Sequence, residues 1–217
     1  MQILKDFILT HTDVKGCTSL LIHIKVGCNL HCFNCYNYED LIINKEKQEW
    51  IDDSKLFEYI EQNSSMFDAV ILSGGEPTLL IPDLIIFCKI FKAKYPTIKL
   101  VLNTNGTRPD TIKYLIDNHL IDSVYIDVKF PLGKVKEEDI EVWEKIYGIK
   151  FNKKIPKAID KSLEIVYNSA IHVSFRTVYY PFVSATFIKQ IQDDIQRLNK
   201  KYKRTVEHII NPFYIRN

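Results

Sequence analysis

The sequence predicts an α/β protein, a partial (β/α)6 barrel of parallel strands left open on one side. Three observations predict it. Short β-branched apolar runs alternate with stretches of helical periodicity along most of the 217 residues, hairpin signals are missing between them, and the polar clusters fall where apolar runs end. Strands joined in this way cross over right-handed in nearly all cases, and six units are too few to close an eight-stranded barrel. Residues 1–217 are taken as one domain, with a core over about 16–180 and a last helix and strand in 181–217.

Each element has its own warrant. Ser19 to Val26 is β-branched and apolar and stops at Gly27, where a cysteine cluster begins. Asp52 or Asp53 can cap a helix to about Gln62, and Ala69 to Leu72 is a short buried strand ending in Ser73-Gly74-Gly75-Glu76-Pro77. Pro82 opens a helix to about Tyr95, Lys99 to Leu102 is a strand ending in Asn103-Thr104-Asn105-Gly106, and Pro109 opens a further helix to about Leu120. Ser123 to Ile126 forms the fourth strand and ends in Asp127-Val128-Lys129. Helical periodicity covers 136–149 and 157–169, with a join near Pro156, before a fifth strand, Ile171 to Phe175, ending in Arg176-Thr177. A long helix from about Ala185 to Tyr202 and a sixth strand from Val206 to Ile210 complete the chain. The run Lys200 to Arg204 reads as the solvated end of that helix, where cations favour the dipole.

Composition sets the outer limits. At 46% apolar, 26% charged and 12% aromatic the chain is neither disordered nor collagen-like. Twenty-nine Lys and Arg against 27 Asp and Glu give a formal +2, too balanced to imply nucleic acid or a membrane surface as partner. No run approaches the ~20 apolar residues of a membrane span, and the N-terminus lacks the sections of a signal peptide, so the expected location is the cytoplasm. Five cysteines are an odd number, and Cys28, Cys32 and Cys35 lie within eight residues, which suits metal ligands better than disulfides. Cys17 and Cys88 read as buried or incidental thiols. Glycine is scarce, and Gly27, Gly74, Gly75 and Gly106 sit at strand ends, as turn residues or where backbone must pass close.

Cys28-Asn-Leu-His-Cys32-Phe-Asn-Cys35 is C-x3-C-x2-C on a short loop. Three thiolates so spaced can hold a cubane iron–sulfur cluster with one iron left open. They also suit tetrahedral zinc completed by His31 or His23. The remaining polar groups stand at C-terminal strand ends, the edge where parallel α/β proteins build their sites.

The cysteine motif after the first strand and Gly74-Gly75-Glu76-Pro77 after the second resemble the radical S-adenosylmethionine (radical SAM) enzymes over about residues 16 to 180. The resemblance implies that Cys28, Cys32 and Cys35 hold a [4Fe-4S] cluster and act catalytically. Its open iron would chelate SAM, one electron would split the sulfonium bond, and a 5′-deoxyadenosyl radical would abstract hydrogen. Gly74, Gly75 and Glu76 would approach the methionine amino group. Asn34 stands where the family commonly carries an aromatic residue facing the adenine.

Further segments resemble the activases of glycyl radical enzymes, especially those of anaerobic ribonucleoside-triphosphate reductase: Cys35-Tyr36-Asn37, Asn103-Thr104-Asn105-Gly106, Asp127-Val128-Lys129 and Phe175-Arg176-Thr177. By that resemblance Asp127 and Lys129 lie by SAM, Asn103 and Thr104 lie near its ribose or a monovalent cation, and Asn34, Tyr36 and Arg176 join the cofactor site. The bland readings are an Asp127–Lys129 ion pair at a strand end and a surface Arg176. The implied partners are a glycyl radical enzyme subunit and an electron donor such as flavodoxin or ferredoxin. A 7-carboxy-7-deazaguanine synthase is the alternative within the family, although those enzymes usually follow the third cysteine with Asp-Thr. A zinc-binding interaction module is the alternative outside it.

Overall fold

The computed structural model describes residues 1–215; Arg216 and Asn217, counted in the expected domain, lie outside the described residues. In chain order the elements are β1 (Gln2–Leu4), β2 (Ile8–Thr10), β3 (Ser19–Ile24), β4 (Trp50–Asp52), α1 (Asp53–Asn63), β5 (Ala69–Gly74), α2 (Asp83–Lys94), β6 (Lys99–Thr104) and α3 (Pro109–Asp117). They continue with β7 (Ser123–Asp127), α4 (Ile140–Tyr147), α5 (Lys154–Tyr167), β8 (His172–Tyr179), α6 (Ala185–Tyr202) and β9 (Glu207–Pro212). The fold is mixed α/β with mostly parallel pairing. No helix among the described residues is long and apolar enough to cross a membrane.

The described chain clusters into two compact units, the first made of 1–29, 36–103 and 114–123. There the strands run β4-β1-β3-β5-β6, with β2 also on β3. β3 and β5 are parallel from Ser19 opposite Ala69 to Ile24 opposite Gly74, and β5 and β6 from Ala69 opposite Lys99. Ala69, Val70, Ile71 and Leu72 are fully buried, as a strand covered on both faces requires. Helix α1 turns Leu56, Phe57 and Ile60 inward, and Phe57 stacks on Phe87 of α2 at 5.4 Å. β1, β2 and β4 are not in the sequence reading, and they pair antiparallel. At three residues each they are shorter than any window in which periodicity can be read, and only their partners define them.

The second unit comprises 30–35, 104–113 and the described chain from Val124 onward, with strands in the order β7-β8-β9. β8 runs four residues past the expected end at Phe175, because its pairing with β9 continues to Tyr179 opposite Pro212. Arg176 and Thr177 therefore lie within a strand and not at its end. Helix α6 has the expected limits: Ser184 Oγ accepts from Phe187 N–H at 3.1 Å, and Ile188, Ile191 and Ile195 make its buried stripe. Beyond it Arg204 is not simply solvated. Its guanidinium donates to the carbonyls of Val166, Ser169 and Ile171, closing the end of α5.

Candidate cluster and SAM site

In the first unit the candidate residues are placed by backbone. β3 ends before Gly27, whose carbonyl accepts the Glu76 N–H at 2.9 Å. A Cβ on Gly75 would fall under 3.0 Å from the carbonyl oxygens of Val26 and Gly27, so only glycine fits that crossing. Asn37 Nδ2 donates to the Gly74 carbonyl at 2.8 Å, joining the segment after the third cysteine to the same strand end. The Glu76 carboxylate is buried, accepting from the N–H and the hydroxyl of Thr78 and so capping the turn Pro77–Leu79. Asn103 Oδ1 and His23 Nδ1 are buried without a hydrogen-bond partner. Tyr36 is exposed.

In the second unit charge dominates. Cys32 is buried and Cys35 is exposed, with Cys35 N–H turned back onto the Cys32 carbonyl at 3.1 Å. Lys129 Nζ stands 3.5 Å from Cys32 Sγ and 3.1 Å from Asp127 Oδ2. Burial alone would lower the Lys129 pKa, but the Asp127 carboxylate, aided by Cys32 and Tyr180, holds it well above the usual lysine value. Burial raises the Cys32 thiol pKa while the Lys129 charge pulls the other way, so a buried thiolate here has its counter-ion in place. Tyr180, also buried by this group, is pushed up to about 12.

Three other expected residues belong to the same unit. Asn34 adopts a left-handed conformation (φ 50°), which asparagine tolerates better than an aromatic residue, and its Nδ2 donates to the Tyr214 carbonyl at 2.8 Å. Thr104 is buried, its hydroxyl accepting from Gly106 N–H at 3.2 Å. The Arg176 guanidinium lies 4.6 Å from the Tyr125 ring centroid, and its carbonyl accepts from Val128 N–H at 2.8 Å. The sequence reading put Asp127 and Lys129 together but did not foresee that Lys129 reaches Cys32. It also passed over Phe33, Tyr180 and Gly148. Of these only Gly148 carries a local signal, a glycine after an amphipathic helix. Among the described residues, no group of three or more His, Cys, Asp or Glu is gathered to hold a metal ion.

The chain is similar to several known proteins. A protein of Methanocaldococcus jannaschii named "Putative glycyl-radical enzyme activating enzyme" is 32% identical over 192 residues, covering 86% of this chain and 70% of that one. Among solved structures, a radical SAM methyltransferase from Sphaerobacter thermophilus aligns with a TM-score of 0.61 at 12% identity, over 90% of this chain and 66% of the other. QueE from Escherichia coli aligns with a TM-score of 0.49 at 11% identity, over 97% and 94%. The description of the Radical SAM superfamily matches residues 22–185, three quarters of the chain. The chain belongs to the radical SAM superfamily, whose members use a [4Fe-4S] cluster and SAM.

Proposed function

We propose that the protein is the activase of a glycyl radical enzyme, with anaerobic ribonucleoside-triphosphate reductase as its partner. The observation that carries the activase reading is the 32% identity to the Methanocaldococcus jannaschii protein across most of the chain; the choice of partner rests on the sequence resemblance. Cys35-Tyr36-Asn37 and Asp127-Val128-Lys129 support it.

In this reading Cys28, Cys32 and Cys35 hold the cluster. The donor chemistry suits it, with three thiols close in sequence and the Lys129 ammonium beside one of them to offset thiolate charge. When bound, cluster and SAM supply reductive cleavage of the sulfonium bond and removal of a hydrogen atom from a backbone glycine of the partner. The chain's own residues bind and orient. Gly74 and Gly75, which pass close to the backbone of Ile24 and of Val26–Gly27, bring the strand end up to the methionine end of SAM, Glu76 accepts from its ammonium, and Asp127 and Lys129 flank it. Thr104 and Asn103 stand by the ribose, and the orphaned Oδ1 of Asn103 suits a hydroxyl or a monovalent cation. Asn34, Tyr36 and Arg176 join the cofactor site, and flavodoxin or ferredoxin supplies the electron.

The test is anaerobic mixing with SAM, a reductant and the cognate reductase subunit. Methionine and 5′-deoxyadenosine should form, and a glycyl signal with a large α-hydrogen splitting should appear on the subunit by electron paramagnetic resonance. Repeated turnover of 6-carboxy-tetrahydropterin with Mg²⁺, and no radical on the subunit, would overturn the activase reading and leave the superfamily assignment intact.

A further inference from the structure

The last carbonyls of a helix have no partner within it and must find one elsewhere. At the end of α4 the cysteine loop supplies the partners: His31 N–H donates to the Tyr147 carbonyl and Phe33 N–H to the Ile146 carbonyl, each at 3.0 Å. Cys32 lies between these two bonds and is held from both sides. The chain then leaves α4 through Gly148, left-handed at φ 65°, whose N–H bonds Glu144 O at 2.7 Å. A Cβ on Gly148 would overlap the His31 carbonyl oxygen, a backbone atom that cannot swing aside. The loop is also held through its side chains. Phe33 meets the rings of Phe182, Phe213 and Tyr180 at 5.0, 5.8 and 6.2 Å, and Lys145 of α4 sits 4.2 Å from the Phe182 centroid.

We propose that Gly148 and the carboxyl end of α4 are positioning elements for the Cys32–Cys35 half of the loop. They set where two of the three cluster thiolates stand. The inference rests on the cluster reading above. It predicts that a residue more than a hundred positions from the cysteines governs cluster geometry without touching a ligand side chain.

The test pairs Gly148→Ala with Gly16→Ala in anaerobically reconstituted protein. Both glycines are left-handed, at φ 65° and 71°, but a Cβ on Gly16 meets nothing within 4 Å. Backbone strain is thus common to both variants, and the overlap with the loop belongs to Gly148 alone. Gly16→Ala should keep wild-type iron and sulfide and the wild-type electron paramagnetic resonance signal of the reduced cluster. Gly148→Ala should bind iron about tenfold more weakly or worse, as loss of a support behind metal ligands does, with an altered signal and an altered response to SAM. If circular dichroism finds Gly148→Ala unfolded, Phe33→Leu is read in its place: an altered cluster signal supports the proposal and a wild-type signal overturns it. Full iron with an unchanged signal in Gly148→Ala, or equal loss in Gly16→Ala, also overturns it. Wild-type protein that takes up no iron and sulfide would overturn the cluster reading itself.

Discussion

Two regions of the molecule present their candidate residues by different physical means. At the strand ends of the first unit the work is done mainly by backbone: Glu76 N–H on Gly27 O, a Gly75 crossing that admits no side chain, and the Gly74 carbonyl, which accepts from the Asn37 side chain. In the second unit it is done by side chains and charge, with Lys129 held between Asp127 and Cys32 and Phe33 set among aromatic rings. The difference teaches what each tolerates. A backbone crossing fails steeply with one methyl group, because its neighbours cannot move, whereas a charged cluster loses function in steps as single interactions are removed.

The largest expected effect is common to both regions. Cys28→Ala, Cys32→Ala and Cys35→Ala should each abolish cluster assembly, measured as iron and sulfide per chain, because each would remove one of the three proposed protein ligands. Cys17→Ala and Cys88→Ala should retain it. Loss in either of these, with retention in a loop variant, would refute the ligand assignment.

Gly75→Ala comes next and probes the backbone region. Forcing a Cβ against two carbonyls should cost about 1–3 kcal/mol of stability and displace Glu76, with SAM binding lost beyond what the stability change explains. A stable variant with wild-type SAM affinity would erase the contrast between the regions.

Graded behaviour is expected from Lys129→Ala and Glu76→Ala. A charged hydrogen bond contributes about 1.5–3 kcal/mol, so SAM cleavage should fall about tenfold to a hundredfold in each. Only Lys129→Ala should also disturb Cys32, which loses its counter-ion, and this should appear as a shifted cluster potential. Unchanged cleavage in both would return the Asp127–Lys129 pair to a structural ion pair.

The smallest effect concerns pH. The Thr177 hydroxyl donates to Val128 O and so accepts from His208 Nε2–H at 2.8 Å, and burial lowers the His208 pKa below its ordinary 6.5. The unfolded chain then binds a proton near pH 6.5 that the folded chain refuses. Stability from this group is complete above that pH and declines as pH falls below it. Urea midpoints measured at descending pH should show this decline, and His208→Gln should flatten it. An unchanged slope in the variant would assign the acid sensitivity elsewhere, with buried His23 the next group to replace.

Much of this was legible in the chain because it is local. The alternation of apolar strands and amphipathic helices, the three cysteines in eight residues and the Gly74-Gly75-Glu76 strand end are all short-range patterns, and each marks an element or a candidate site. β1, β2 and β4 were not legible, because a three-residue strand exists only through its partner. The limits of β8 failed for the same reason: its last residues read as loop until β9 pairs with them.

What the sequence alone determined is the order of the longer elements and which side chains are candidates to bind a cluster and a charged ligand, since these depend on side-chain chemistry and short spacings. Only the tertiary structure decided that Lys129 faces Cys32 across 97 residues, that Asn34 can be left-handed against Tyr214, and that Gly148 must lack a Cβ because His31 lies against it. These are distances between residues remote in the chain, and they take values only when packing closes the loops between them.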